Sequence, residues 1–273
     1  MRKINLKIAF IGGGNMGEAM LAAVLGKKLA ATADITLADV SETRRDFLKK
    51  QYGVAVTADS RAAVTGKDVI VLAVKPQNYP EVLADLKDRL KPVQLVLSIA
   101  AGVNIGTISQ GLGHDSVVRA MPNTPAQVGF GTSGWTAAAA VTPAQKEQAK
   151  AVLAAMGAEI YFSDEAFLDA VTAVSGSGPA YFYLFAESLI EAAVNIGISR
   201  SDAEQLVRQT MLGAAQLLVK SGQSPADLRR TVTSKGGTTE RALNVFEEGG
   251  LAGLVAAAVR AAYLRAKELG KQT

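Results

Sequence analysis

The sequence contains no cysteine, which excludes disulfides, zinc–thiolate sites and cysteine nucleophiles. Aromatic residues make up only 5% of the 273 residues, and there is a single histidine. The net charge is +4, but its lysines and arginines are scattered among 25 acidic residues with almost no aromatic side chains between them. This pattern is typical of a solvated surface and not of a nucleic-acid-binding face. We expect a small-molecule ligand, no nucleic acid and no metal.

Long hydrophobic runs are also missing. No stretch of about 18 uncharged apolar residues, the length that a membrane span requires, occurs in the chain. The charged start, Met1–Lys7, is followed by glycines at 12–14 and not by the apolar core of a signal peptide. The sequence therefore predicts a soluble, cytoplasmic protein with no membrane association.

The first part of the chain alternates between continuous apolar runs and amphipathic segments. Buried strands are predicted at Ile4–Ile11, Ile35–Ala38, Val69–Val74, Leu95–Ile99 and Ala158–Phe162. Helices are predicted at Glu18–Leu25, Glu42–Gln51 and Pro80–Leu90. Such alternation favours a parallel sheet covered on both faces. Residues 1–162 are therefore predicted to form an α/β, Rossmann-like dinucleotide-binding domain.

From residue 163 onward the strand pattern ends and helical patterns follow one another. They cover Ala180–Asn195, Asp202–Lys220, Pro225–Val232, Thr239–Glu248 and Leu251–Leu269. Capping boxes are predicted at Thr142–Gln145 and at Ser201–Glu204. Several of these helices are too apolar to leave a face for water. Residues 163–273 are thus predicted to be an all-α domain that forms a homodimer and carries the substrate site.

A glycine-rich turn follows the first strand. The run Gly12-Gly13-Gly14-Asn15-Met16-Gly17 matches G-x-G-x-x-G between an apolar strand and an Ala-rich helix. In that context Gly12 permits the tight turn, Gly14 lets the backbone approach a pyrophosphate, and Gly17 lets helix and strand pack closely. The first N–H groups of the helix face the anion. We expect Ile11 to Met16 to bind a nicotinamide dinucleotide.

The choice between the two nicotinamide cofactors stays open at this point. Asp39, at the end of the second strand, is placed to accept hydrogen bonds from the ribose hydroxyls of NAD. Ser41, Arg44 and Arg45 follow at once and are placed to hold the 2′-phosphate of NADP. Either NADPH or NADH is therefore predicted as the cofactor.

Further loops at predicted strand ends belong to the same cleft. Ala73-Val74-Lys75-Pro76 and Ser98–Gly102 each follow an apolar strand, and Asn123 can offer its amide to the nicotinamide carboxamide. A second anion site is predicted in the helical domain, where Gly236-Gly237-Thr238-Thr239 opens a helix with uncovered N–H groups.

Six motifs along the chain resemble, in order and spacing, those of pyrroline-5-carboxylate reductases. They are Gly12–Gly17, Ala73–Pro76, Ser98–Gly102, Met121–Pro125, Ser175–Tyr181 and Val232–Thr239. The resemblance implies reduction of 1-pyrroline-5-carboxylate to L-proline by NADPH or NADH, the last step of proline synthesis. It also implies a domain-swapped helical homodimer that is often assembled into a decamer.

The resemblance also assigns residues by position. It puts Asp39 and Ser60 near the adenosine ribose, and Ala73 to Pro76 and Ala100 beside the nicotinamide half. It gives the substrate carboxylate to the N–H groups of Gly236, Gly237 and Thr238, and it puts Glu165 on the substrate side. Thr239 is the implied catalytic residue, with its hydroxyl near the ring nitrogen.

Two positions depart from the family pattern. Lys235 stands where the family usually has proline, and Thr231 stands where some members have a cofactor-contacting asparagine. Two other functions compete with the reductase for this sequence. Another small imine dehydrogenase or a 3-hydroxyacid dehydrogenase with the same two-domain plan usually has a catalytic lysine on the long helix, and Ala180–Asn195 has none. A cofactor-sensing protein without turnover would not need the intact Gly236–Thr239 turn.

Overall fold

A computed structural model describes residues 5–270, and over these residues eight strands form one sheet. The strands are β1 (Ile8–Ile11), β2 (Ile35–Ala38), β3 (Ala55–Thr57), β4 (Val69–Leu72), β5 (Leu95–Ser98), β6 (Val117–Met121), β7 (Gly131–Ala137) and β8 (Gly157–Tyr161). Their order across the sheet is β3-β2-β1-β4-β5-β6-β7-β8. Neighbouring strands are parallel except for β6 and β7, which pair antiparallel.

Helices connect the strands and then continue alone. Those of the sheet region are α1 (Asn15–Gly26), α2 (Glu42–Tyr52), α3 (Ser60–Val64), α4 (Tyr79–Leu86), α5 (Ile105–Leu112), α6 (Pro143–Ala154) and α7 (Phe167–Val171). After a π-helical turn at Thr172–Gly176 come α8 (Gly178–Asn195), α9 (Arg200–Ser221), α10 (Pro225–Thr231), α11 (Thr238–Glu248) and α12 (Leu251–Leu269). The predicted fold class, a Rossmann-like domain followed by helices, is confirmed.

The sequence of the central strand β1 is continuously apolar because both of its faces are buried. Ile8 and Phe10 belong to one hydrophobic core and Ala9 and Ile11 to another, and all four are at most 1% exposed. Successive side chains of a strand point to opposite faces. Both faces of the sheet are therefore covered, as expected for parallel strands joined by helices.

Two of the strands that are absent from the predicted set carry a weak sequence signal. β3 is three residues long, and β7 contains two glycines and polar residues in Gly131–Ala137. The strand predicted at Val69–Val74 ends at Leu72, so Ala73 and Val74 belong to the following loop. Residue 4, the predicted start of the first strand, lies outside the described residues.

One predicted helix cap is wrong and another is confirmed. Thr142 and Gln145 form the predicted reciprocal capping box at the start of α6. The cap of α9 is Ser199 and not Ser201, because the Ser199 hydroxyl accepts from the N–H of Asp202 while Ser201 already lies inside the helix. Because Ser199 and Ser201 lie only two residues apart, the sequence alone does not decide which of them caps α9.

The chain divides into two compact units. The first unit comprises the described residues up to Ser177 together with those from Ala262 onward, and the second unit comprises Gly178–Ala261. The predicted domain boundary after residue 162 stays a prediction. Along the chain, the division between the compact units falls between residues 177 and 178. Up to that point α7 and the π-helical turn belong to the sheet unit, in which Leu168 and Ala173 are buried.

The second unit keeps large apolar side chains in solvent. Phe182, Leu184 and Val219 are 66%, 64% and 82% exposed on α8 and α9. No single helix among the described residues is long and apolar enough to span a membrane. Only α11 and α12 taken together pass by length and composition, and that pair is bent by 53°.

Candidate functional site

A cleft of about 840 Å³ opens at the carboxyl ends of β1, β2 and β4. In a sheet of this order the connections on either side of β1 leave in opposite directions, which makes this edge the expected place for a ligand. Eight of the residues predicted to bind a dinucleotide line it, namely Ile11, Gly12, Gly14, Asp39, Ser60, Ala73, Val74 and Lys75. The sequence therefore predicted a substantial part of the cleft lining.

Gly12, Gly14 and Gly17 of the turn differ in how much room they leave for a side chain. Gly12 has φ +100°, and a Cβ there would lie 2.8 Å from the backbone of Ala73 and Val74. A Cβ on Gly17 would collide with the carbonyl oxygen of Gly12. At Gly14 a Cβ would meet no atom of the described chain within 4 Å, so it would project into open space. Of these three glycines, only Gly14 could carry a Cβ without a steric clash with the described chain.

The N-terminus of α1 has the features of an anion site. Its cap, Gly14, makes no side-chain cap hydrogen bond within the described residues. The first-turn N–H groups of a helix have no acceptor inside the helix and carry the positive end of its dipole. Since the cap has no side chain, a pyrophosphate can approach these donors closely. The residues present thus fit a dinucleotide.

Asp39 presents its carboxylate to the cleft, held by the backbone. Its Oδ2 accepts from the N–H of Gly13 at 2.7 Å, and its Oδ1 accepts from the N–H of Ser41 at 2.9 Å. A fixed negative charge here favours a ribose with free hydroxyls over one with a 2′-phosphate.

The two candidate phosphate-binding arginines are directed elsewhere. Arg44 bonds the carbonyl oxygen of Gly13 and the carboxylate of Glu18, while Arg45 donates to the carbonyl oxygens of Asp39 and Val40 at 2.8 and 3.0 Å. Neither arginine lines the cleft.

Several other predicted cofactor residues lie outside the cleft wall. They are Gly13, Asn15, Met16, Pro76, Ala100 and Asn123. Asn123 has a structural bond at each end of its amide: its Nδ2 donates to Ser175, and its Oδ1 accepts from the N–H of Thr132 at 2.8 Å. Its predicted contact with the carboxamide stays a prediction.

The sequence did not indicate the other residues that line the cleft. They are Ala38, Val40, Ala58, Asp59, Arg61, Gln77, Asn78, Glu81, Val82 and Asp85. Ala58 to Arg61 follow the carboxyl end of β3, so finding that short strand would have identified them. Arg61 is paired with Asp85 at 2.5 Å.

Glu165 is held inside the sheet region. Its Oε1 accepts from Arg119 of β6 at 2.8 Å and from the N–H of Ile105, the first residue of α5, at 2.9 Å. Asp169 of α7 lies 3.9 Å from the same guanidinium. The Arg119 side chain is 7% exposed. These contacts tie β6, α5 and α7 together, and the implied substrate contact of Glu165 stays a prediction.

The glycine–threonine turn of the second unit has a carboxylate of its own. Gly236 has φ +73°, and its N–H donates to Oε2 of Glu240 at 2.7 Å. The N–H of Gly237 donates to the carbonyl oxygen of Ser234 at 3.0 Å. α11 begins at Thr238 with Gly237 as a cap that makes no side-chain bond within the described residues. Thr238 and Thr239 lie in the first turn of α11, where N–H groups have no acceptor inside the helix. The predicted contacts of Gly236, Gly237 and Thr238 with a carboxylate stay predictions.

The only histidine has a structural bond. His114 is 5% exposed, and its Nε2 is bonded to the carbonyl oxygen of Gln94 at 2.8 Å. Within residues 5–270 no three histidine or acidic side chains gather as metal ligands would.

Comparison with known proteins identifies relatives over the whole chain. Residues 165–269 match a family described as pyrroline-5-carboxylate reductase dimerisation, and residues 7–102 match one described as NADP oxidoreductase coenzyme F420-dependent. A pyrroline-5-carboxylate reductase from Pseudomonas aeruginosa is 44% identical over 267 residues, which are 97% of each chain.

Solved structures give the same result. A pyrroline-5-carboxylate reductase from Coxiella burnetii is 42% identical, with a TM-score of 0.92 over 97% of this chain and 98% of that one. A Plasmodium falciparum pyrroline carboxylate reductase with NADP bound is 32% identical, with a TM-score of 0.87 over 98% and 99%. This chain therefore belongs to the pyrroline-5-carboxylate reductase family of NAD(P)H-dependent oxidoreductases.

Proposed function

We propose that this protein reduces 1-pyrroline-5-carboxylate to L-proline, the last step of proline biosynthesis, with a reduced nicotinamide cofactor. The observation that carries the proposal is the cleft at the carboxyl ends of β1, β2 and β4. Gly14, which caps α1, lines this cleft and has no side chain to block the N–H groups of the first helical turn. The proposed substrate, 1-pyrroline-5-carboxylate, is supported by the similarity of this chain to proteins named pyrroline-5-carboxylate reductase.

The proposed roles follow from what each group can do. When bound, the reduced nicotinamide supplies the hydride. The first turn of α1 binds the pyrophosphate, Asp39 and Ser60 bind the adenosine ribose, and the Ala73–Pro76 loop with Ala100 supports the nicotinamide half. The N–H groups at the start of α11 bind the substrate carboxylate. A cyclic iminium carbon accepts hydride readily, so positioning is the main task, and positioning alone can lower a barrier by roughly 7–11 kcal/mol.

The pairing of subunits belongs to the same proposal. The match to a dimerisation family and the exposed apolar side chains of α8 and α9 support a homodimer through the helical region. Assembly of such dimers into decamers is the finer part of the proposal. The native mass of the purified protein distinguishes a dimer from a decamer.

We expect NADH to be used more efficiently than NADPH. The carboxylate of Asp39 lies in the cleft and repels a 2′-phosphate, while Arg44 and Arg45 are bonded elsewhere. A repulsion of this kind is expected to lower kcat/KM for NADPH by about tenfold. Loss of absorbance at the nicotinamide band, followed with 1-pyrroline-5-carboxylate and each cofactor in parallel, measures the ratio.

The same assay can contradict either part of the proposal. If neither cofactor is oxidised with 1-pyrroline-5-carboxylate but a linear 3-hydroxyacid reduces NAD(P), the proposed substrate is wrong. If NADPH is the better cofactor, the role given to Asp39 is wrong. An Asp39→Ser variant serves as the matched test, because removal of this carboxylate should bring the two kcat/KM values closer together.

We expect Thr239→Ala to lower kcat by about tenfold, the cost of one lost hydrogen bond in a protein interior. Thr239 lies in the first turn of α11, beside the donors proposed for the carboxylate, and its proposed role is to bond the ring nitrogen through its hydroxyl. Steady-state kinetics with saturating NADH measure the effect, and Thr239→Ser is the control that keeps the hydroxyl. Unchanged kcat and KM in Thr239→Ala would remove this residue from the mechanism.

A further inference from the structure

Three polar side chains from two helices meet behind the glycine-rich turn, and we call Arg44, Glu18 and Tyr52 the brace. Arg44, in the first turn of α2, donates its Nε to the carbonyl oxygen of Gly13 at 2.5 Å and its Nη2 to Glu18 of α1. Tyr52, the last residue of α2, donates its hydroxyl to the other oxygen of Glu18 at 2.8 Å. The brace thus joins α1, α2 and the turn.

The brace completes the hydrogen bonding of Gly13, whose N–H and carbonyl oxygen belong to two successive peptide groups. The N–H of Gly13 is already bonded to Asp39, and the Arg44 guanidinium takes the carbonyl oxygen. With both polar groups held, the backbone that leads into Gly14 and the first turn of α1 has a single orientation. These are the groups on which a pyrophosphate depends, and such supporting bonds are what keep a binding site in its productive geometry.

The brace also compensates the negative charge of Glu18 near the anion site. Glu18 lies in the first turn of α1, where its free charge would repel a pyrophosphate. Arg44 and Tyr52 bond one oxygen each, and the Arg44 and Glu18 side chains are only 25% and 23% exposed. Burial and the Glu18 bond raise the pKa of Tyr52 to about 12, so its hydroxyl keeps its proton over the working pH range.

Arg44 has little freedom to turn toward the adenosine end of the cleft. Besides its bonds to Gly13 and Glu18, its guanidinium carbon lies 5.1 Å from the centroid of the Phe47 ring on the same helix. Arginine presents its donors in a rigid planar fork, so two acceptors on different elements fix its direction. A 2′-phosphate would have to compete with all of these partners.

We propose that Arg44, held by Glu18 and Tyr52, is a positioning residue for the pyrophosphate-binding turn and serves NADH and NADPH alike. It is not the residue that selects between the two cofactors. The inference rests on the proposed dinucleotide site, and it assigns to this arginine a role opposite to the one its place after β2 suggests.

The test is a binding measurement that needs no substrate. Dissociation constants of NADH and NADPH are determined by calorimetry for the full-length protein and for Arg44→Ala. We expect both constants to rise by about tenfold and by the same factor, since one charge-assisted bond to the turn is lost for either cofactor. Arg44→Lys should recover part of the affinity for both, and Tyr52→Phe should weaken both slightly. Lys49→Ala, an exposed cation on the same helix, should change neither.

The outcomes separate this inference from the proposed function. If the unchanged protein binds neither dinucleotide, the proposed function fails. If it binds both and Arg44→Ala loses NADPH alone, Arg44 is a 2′-phosphate ligand and the positioning role is overturned. Unchanged affinity for both cofactors in Arg44→Ala overturns it as well. Should Arg44→Ala not fold, as judged by circular dichroism, the comparison of Arg44→Lys and Tyr52→Phe with Lys49→Ala decides the question by the same equal-factor criterion.

Discussion

Gly12→Ala is expected to lower kcat/KM for NADH by about 100-fold, the loss that a misplacement near 1 Å can cause at a reacting centre. Gly12 has φ +100°, where a side chain is strained, and the new Cβ would lie 2.8 Å from the backbone of Ala73 and Val74. The N–H of Gly12 is bonded to the carbonyl oxygen of Ala38 at 2.8 Å, so the turn cannot simply move away. Steady-state kinetics with varied NADH measure the loss.

Two further glycines of the same region provide the comparison. Gly14→Ala should leave thermal stability unchanged, because no atom of the described chain lies within 4 Å of its Cβ, yet it should weaken NADH binding because the methyl group occupies the path of the pyrophosphate. Gly26→Ala, at the other end of α1 with equally open surroundings in the described chain, should behave as the unchanged protein. A Gly12→Ala variant with nearly full activity would show that the turn does not hold the cofactor.

Arg119→Ala is expected to reduce the free energy of unfolding of the sheet unit by about 3 kcal/mol, as removal of one partner from a buried ion pair does. The Arg119 side chain is 7% exposed and faces Glu165 at 2.8 Å and Asp169 at 3.9 Å. Without it, two carboxylates that are 29% and 21% exposed lose their cation. Both α7 and the end of β6 would then be loosened.

Urea denaturation followed by tryptophan fluorescence measures this effect, because the single tryptophan, Trp135, lies opposite Ala120 of β6 in the sheet. The matched control is Arg61→Ala. Arg61 is 55% exposed and its pair with Asp85 is expected to contribute less than about 1 kcal/mol. Equal midpoint shifts for the two variants would show that the Arg119 cluster is no more than a surface pair.

The parts of the site that could be predicted are those fixed by backbone geometry. β1 reads as a buried strand because all four of its side chains are buried, and the glycine turn after it has no steric alternative at Gly12 and Gly17. Asp39 could be placed because it follows β2 directly. In each case the signal lies in a few consecutive residues, namely an apolar run followed by a glycine turn or by an acidic residue.

The direction of long side chains could not be predicted. Arg44 bonds Glu18, a residue 26 positions earlier on another helix, and only the packing of α1 beside α2 brings the two together. Asn123 and Glu165 likewise bond partners 52 and 60 positions away. β7 escaped prediction because its place depends on pairing with β6 and β8 and not on its own residues.

If the proposed homodimer buries the exposed apolar side chains of α8 and α9, the stability of this protein is a function of its concentration. Phe182, Leu184 and Val219 would then lose their contact with water on association. Folding and association then become one equilibrium, and each tenfold dilution removes up to about 1.4 kcal/mol of the stabilisation that association gives. A melting temperature of this chain therefore has a meaning only together with the protomer concentration at which it was taken, and a variant that weakens pairing will look destabilised even where its own fold is untouched.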